Sequence, residues 1–244
     1  MDPVPSFRQE LPRWITLYLP LFVLVYPVLL LIPGLNWEEG LYREYGFIEN
    51  LTAVLLLASS ILLLRAAFVT RDLVQRSWLV LISLGAFVFF GEEISWGQHY
   101  FHWTTPDEWK AVNRQRETNL HNIKGGTEYL FTKIVRPGLA TAVFVSGLLV
   151  PWFLRLRKVT FVPGQIQFWL WPSIQCSLTA LLSTAVRLPV AIARPFGMED
   201  KLPRFIGDDI SETKEAYFAL FILLYAITQL RVLARTRNER ASET

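Results

Sequence analysis

The chain has 244 residues, 52% of them hydrophobic and 14% aromatic, with a mean hydropathy of +0.31. Charged residues make up 18%, below the ~25% of soluble domains, and the apolar ones gather in long runs, which excludes a soluble globular class and points to one polytopic membrane domain. The formal charge of +3 does not indicate nucleic acid, because the basic residues flank apolar runs, and the single Cys176 excludes an internal disulfide or a cysteine metal site.

Residues 1–13 are a polar leader. The first span, 14–33, is long enough to cross a ~30 Å hydrocarbon core. It has no small-residue cleavage site, so it reads as a retained helix bent at Pro20 and Pro27. An acidic loop leads to the second span, 47–68, which carries Glu49 in its first turn, where the helix dipole favours a carboxylate. Arg65, Arg71 and Arg76 mark a short basic loop, and the third span, 77–98, runs into Glu92 and Glu93.

An outer loop, 99–127, follows, with helical character expected after Pro106. The fourth span, 128–154, places Gly138, Ala142 and Ser146 four residues apart, a small-residue stripe that lets another helix approach. In the fifth span, 165–186, Gln175, Thr179, Ser183 and Arg187 repeat every four residues and are expected to face the bundle interior. A loop rich in Pro, Gly and charge covers 188–210. Asp209 and Glu212 read as the cap of the sixth span, 211–233, before a loose basic tail. The fold class is therefore all-α, a bundle of about six transmembrane helices.

Charge assigns the sides. The leader, the 66–76 and 155–164 loops and the tail carry twelve Lys and Arg against five acids, and the other side carries twelve against sixteen. Short basic loops stay cytoplasmic, so both termini are expected in the cytoplasm of a bacterial inner membrane. Glu49, Glu92, Glu93, Arg187, Glu212, Glu215 and the central loop then share the outer half.

Intramembrane carboxylates are by default functional-site candidates. On a continued third helix, Glu92, Ser95, His99 and His102 line one face; in the loop, Asn113, Glu117 and His121 are spaced four and four. A divalent metal site drawing on Glu92, Glu93, Glu117, His121, Glu49 and Glu215 resembles the Glu and His sets of helical bundles. Without metal, Glu92 or Glu93 would act as general acid or base with Glu117 and His121 completing the site. Arg187, Arg136, Gln98 and Asn113 are candidates for binding substrate or an anionic group. The structural alternative pairs these carboxylates with Arg114, Arg116, Arg136 and Arg187 to hold a re-entrant loop. His99 and His102, among Trp96, Tyr100, Phe101 and Trp103, read as headgroup-level anchors. Walker A, Rossmann, GxSxG and HExxH motifs are absent.

GEEISWGQ (Gly91–Gln98) followed by NRQRETNLHN (Asn113–Asn122) resembles a group of uncharacterised bacterial multi-pass membrane proteins, with a looser likeness at Ile48-Glu49 and Glu212–Tyr225. The resemblance covers about thirty residues of motif and implies a family without an activity. It implies Arg after the Gln, where this chain has His99, which leaves His121 as the histidine of the site.

Three functions follow as expectations. The first is an enzyme at the outer leaflet that hydrolyses or transfers groups on a lipid or lipid-linked substrate. The second is an accessory subunit of a larger respiratory or photosynthetic complex, with membrane-protein partners. The third, a transporter lined by Gln175–Arg187, lacks the paired broken helices of matching halves.

Overall fold

The computed structural model describes residues 4–5, 11–29, 46–161, 165–202 and 210–242. Its helices are α1 (Arg13–Leu29), α2 (Phe47–Val69), α3 (Leu73–Glu93), a short α4 (Asp107–Val112), α5 (Gly126–Leu156), α6 (Ile166–Phe196) and α7 (Ile210–Ser242). Among the described residues, α2, α3, α5, α6 and the Ile210–Ala234 part of α7 are long and apolar enough to cross a membrane. The apolar part of α1 is shorter, Arg13–Val25, and the predicted end of that span, 30–33, lies outside the described residues. The molecule is an all-α, multi-pass membrane bundle.

α7 is the central helix. Within its apolar window 67% of residues are buried, against 17% for α5, and Tyr217, Leu220 and Leu224 are wholly enclosed. Its main neighbour is α2, which is joined to α3 by a tight turn. Asp72 caps α3 by accepting from the Gln75 N–H at 2.6 Å, and Arg76 donates to the Thr70 carbonyl at 2.8 Å. Between these two helices, Ser83 Oγ donates to the Ser60 carbonyl at 2.8 Å. Outward positions are apolar: Val54, Ile61, Phe68, Val74 and Leu81 are all exposed, which suits lipid and not water.

Where the backbone departs from the α-helix, side chains meet the freed carbonyls, as a hydrocarbon environment demands. α5 contains two π-helical stretches, Leu130–Val135 and Val145–Leu149, each just before a proline-bearing turn. Pro151 has no N–H for the Gly147 carbonyl, and Ser177 Oγ of α6 donates to it instead at 2.8 Å. α6 breaks at Trp171–Ser173, and the Trp169 carbonyl receives the Tyr225 hydroxyl at 3.1 Å and Gln229 Nε2 at 2.7 Å.

Several expectations change here. The contact face of α5 is not the Gly138–Ala142–Ser146 stripe. Gly138 and Ala142 are exposed, and Gly147 makes the close approach: a Cβ there would run into the Phe221 ring and lie 2.8 Å from Ala180 Cβ. A π-helical turn adds a residue and rotates the following face, which a fixed four-residue stripe does not register. The inward face of α6 holds for Thr179 and Ser183, both fully buried. Gln175 has a different task, donating to the Leu11 carbonyl at 2.8 Å and accepting its N–H at 2.9 Å. α6 continues through Leu188–Ala193 to Phe196 where a loop was expected, because Pro189 stands in a first turn, where no N–H is needed. The tail is helical to Ser242: Arg235–Arg240 contains no Gly or Pro to stop a helix already nucleated by α7. Asp209 lies outside the described residues.

A two-residue antiparallel pair, Val4–Pro5 with Thr160–Phe161, ties the leader to the connection after α5. These segments therefore share one end of the bundle.

Candidate functional site

The third span does not continue past Glu93. Ser95, Trp96 and Gly97 take φ of 45°, 55° and 91°, a left-handed run that L-residues adopt only under tertiary constraint. The constraint is visible. The Trp96 ring folds back onto Gly91, where any Cβ would lie 2.8 Å from it, and Trp96 Nε1 donates to Glu92 Oε1 at 2.8 Å. One helical turn, Gln98–Phe101, ends at His102, itself left-handed and exposed. Glu92, Ser95 and His102 thus share no helical face; the His99 side chain lies outside the described residues.

The segment Asn113–Ile123 is likewise not a helix carrying Asn113, Glu117 and His121 on one side. α4 stops at Val112, and the chain closes into a tight loop through Arg114 N–H to Asn122 O at 2.9 Å and Lys124 N–H to Val112 O at 2.9 Å. Asn113 organises it from inside, since its own polar groups outcompete helix continuation. Its Oδ1 accepts the N–H groups of Gln115 (2.9 Å) and Glu117 (3.2 Å), and its Nδ2 donates to Asn119 Oδ1 at 2.9 Å.

Two glutamates fasten this loop to the end of α3. Glu92 Oε2 accepts the consecutive N–H groups of Leu120 (2.7 Å) and His121 (3.0 Å), and lies 3.2 Å from His121 Nδ1. Glu117 Oε2 accepts from Ser95 Oγ and from Asn119 Nδ2, both at 2.7 Å. Gln98 adds a third tie, its Oε1 accepting the Thr118 N–H at 2.8 Å. Because a carboxylate only accepts, Nδ1 of His121 must carry the proton, and Nε2 is left as the basic nitrogen. This is the orientation in which a carboxylate presents a histidine as base or metal ligand.

Beneath the loop lies a polar cavity of about 210 Å³. Glu49 of α2, Glu93 of α3, Arg136 of α5, Glu212 and Glu215 of α7 and His121 of the loop all border it. The carboxylates of Glu93, Glu212 and Glu215 each bring an oxygen within 4.8 Å of the others. Arg136 lies 3.3 Å from Glu215, whose residue is buried. Three acids this close in a low-dielectric setting need positive charge beside them, and Arg136 supplies one such charge.

The predicted residues therefore divide. Glu49, Glu93, His121, Glu215 and Arg136 meet in the cavity. Glu92 and Glu117 also reach its wall, but their oxygens are engaged in holding the loop. Asn113 and Gln98 support that loop and do not border the cavity, and Arg187, beyond the Ser177–Ala185 part of α6, does not border it either. Arg114 pairs with Glu128. Glu212 borders the cavity as well; its sequence placed it in the outer half and at the cap of the sixth span, but not among the expected site residues.

No family model matches the chain, and no similar curated protein or solved structure was found. The function must be argued from the cavity itself.

Proposed function

We propose that the cavity is the active site of a membrane-embedded enzyme that hydrolyses or transfers a group on a lipid or lipid-linked substrate, using a divalent cation held by Glu93, Glu212 and Glu215. The observation that carries this reading is the meeting of three carboxylates within 4.8 Å of one another at a polar cavity that His121 also borders. An all-oxygen donor set suits hard cations such as Mg²⁺, Mn²⁺ or Ca²⁺. Such a cation would polarise a substrate oxygen and lower the pKa of a bound water. His121 Nε2, oriented by Glu92, is then the group to accept the proton of an attacking water or hydroxyl. Glu49 adds a further ligand or orienting acceptor. By the distribution of basic loops the cavity opens to the outer leaflet of a bacterial inner membrane, with both termini cytoplasmic.

The test compares lipid extracts of cells expressing the parent protein, Glu93→Gln and His121→Ala at equal levels, by mass spectrometry. The expected result is a lipid species that accumulates in both variants and is consumed by the parent. Identical profiles for all three would refute the enzyme.

A second reading, an accessory subunit of a larger membrane complex, is favoured by the outward face of α5, where Gly138 and Ala142 are exposed on the least buried of the spans. Such a subunit co-purifies stoichiometrically with partners under mild extraction.

A further inference from the structure

A lipid that places its headgroup in the cavity must put its hydrocarbon elsewhere. Every described residue that lines the cavity is polar, and its volume of about 210 Å³ falls below the ~300–1,000 Å³ of pockets that enclose a whole ligand. The chain must therefore leave through a wall, and the walls differ. α2 and α7 are sealed together beneath the cavity: Ile48 and Ala216 belong to one buried cluster, and Leu56 and Ala219 join Ala86 of α3 in another. α5 contributes a single residue to the lining, Arg136. Along the face of α5 that carries it, packing falls away toward the start of the helix. Val143 is 3% exposed and part of the core, Leu139 and Ala140 are half-buried against it, and Arg136 and Thr132 are exposed. Steps of three and four residues keep all of these on one side of the helix. From Tyr129 to Gly138 every residue but Phe131 is exposed, so nearly three turns have no packed face. Among the described residues, Arg136 ties this stretch to α7 by its ion pair with Glu215 at 3.3 Å. Thr132 returns its hydroxyl to the Glu128 carbonyl at 2.7 Å, which leaves a face that hydrocarbon can line.

We propose that the seam between the first half of α5 and α7 holds an acyl chain of the lipid whose headgroup occupies the cavity. The inference rests on the cavity being the site of a lipid substrate. It narrows that substrate to a lipid with a small headgroup, and it gives the route, sideways from the surrounding leaflet past Arg136. The exposed Leu130, Ile134 and Val135 make the seam continuous with the lipid-facing surface of the bundle. The Arg136–Glu215 pair then marks the border between polar cavity and apolar seam, which is the division an amphiphile carries in itself. An unpacked apolar stretch beside a polar cavity fits such a ligand better than a water-soluble one.

The test is native mass spectrometry of the delipidated full-length protein, released from maltoside micelles after titration with lipid. The probes are phosphatidylethanolamine, phosphatidylglycerol and diacylglycerol, with chain-free glycerophosphoethanolamine as the control. The expected result is about one lipid per chain, retained at collision energies that strip all others, and no retention of the chain-free control. Thr132→Trp, which fills the seam, should weaken this binding at least tenfold, whereas Thr132→Ala, which leaves the space open, should bind within a few-fold of the parent. Gly138→Trp lies on the opposite side of the helix, where a Cβ meets nothing within 4 Å, and should keep parental affinity. The proposal is overturned if no lipid is retained, or if Thr132→Trp binds as the parent does. It is also overturned if the seam instead holds a protein, seen as a mass of two chains or of a chain with a bound protein that Thr132→Trp removes. Glu93→Gln should retain the lipid, so failure of the catalytic reading leaves this result standing.

Discussion

Glu92 and Glu93 are adjacent in sequence and opposite in role. Glu92 accepts from two backbone N–H groups and an indole N–H and meets the His121 ring. Replacing it leaves buried donors without an acceptor, at about 1–3 kcal/mol for each. Glu92→Ala should therefore lower unfolding stability in micelles by about 3 kcal/mol and speed hydrogen exchange at Leu120 and His121. Glu93→Gln removes one charge from a cluster of like charges, so the variant should be at least as stable as the parent. A Glu93→Gln protein destabilised as much as Glu92→Ala would contradict the division. The sequence marked both carboxylates as candidates and could not tell them apart, because the difference arises from the left-handed turn at Ser95–Gly97. That turn depends on the Trp96 ring finding Gly91, a contact no periodicity encodes. His121 was legible as a candidate, and it does border the cavity; its contact with Glu92 was not legible.

At the scale of elements, the helices were legible wherever apolar length alone decides them: the second and fourth spans, Phe47–Val69 and Gly126–Leu156, begin and end close to expectation, whereas the third, Leu73–Glu93, starts and stops earlier than the expected 77–98. What failed was the rotation of faces after irregular turns. In α5, Gly147 is the contact position in place of the small-residue stripe. Gly147→Ala should destabilise by about 1–3 kcal/mol, as overpacking does, since Ala180 Cβ cannot swing away. Gly138→Ala meets nothing within 4 Å and should be tolerated. Thermal unfolding of the two variants separates them, and equal melting temperatures would contradict the packing. The Asn113–Ile123 loop was misread for a related reason: a four-residue spacing predicts a helix only where the backbone is free to form one, and Asn113 captures the N–H groups that a helix would use.

For the whole molecule, the bundle gathers its ionisable groups at one end through five separate pieces of chain: the starts of α2, α5 and α7, the end of α3 and the loop it holds. The two motif segments, Gly91–Gln98 and Asn113–Asn122, are each other's principal partners in this assembly. Their charge asymmetry was readable from composition, whereas Glu212 joined the site only once α7 was seen at the centre of the bundle. Since Cys176 is buried, single cysteines report topology cleanly. Arg71→Cys and Arg157→Cys should react with an impermeant maleimide only in inside-out vesicles, and Lys110→Cys only in right-side-out ones. Labelling of Lys110→Cys from the same side as Arg71→Cys would contradict a membrane crossing by α3, which lies between them. The most direct test of the central claim is titration of the purified protein with Mn²⁺, followed by electron paramagnetic resonance. One Mn²⁺ should bind per chain and be displaced by excess Mg²⁺ or Ca²⁺, with affinity reduced at least tenfold in Glu93→Gln and Glu212→Gln. Absence of saturable binding, or unchanged binding in both variants, would contradict the carboxylate cavity as a cation site.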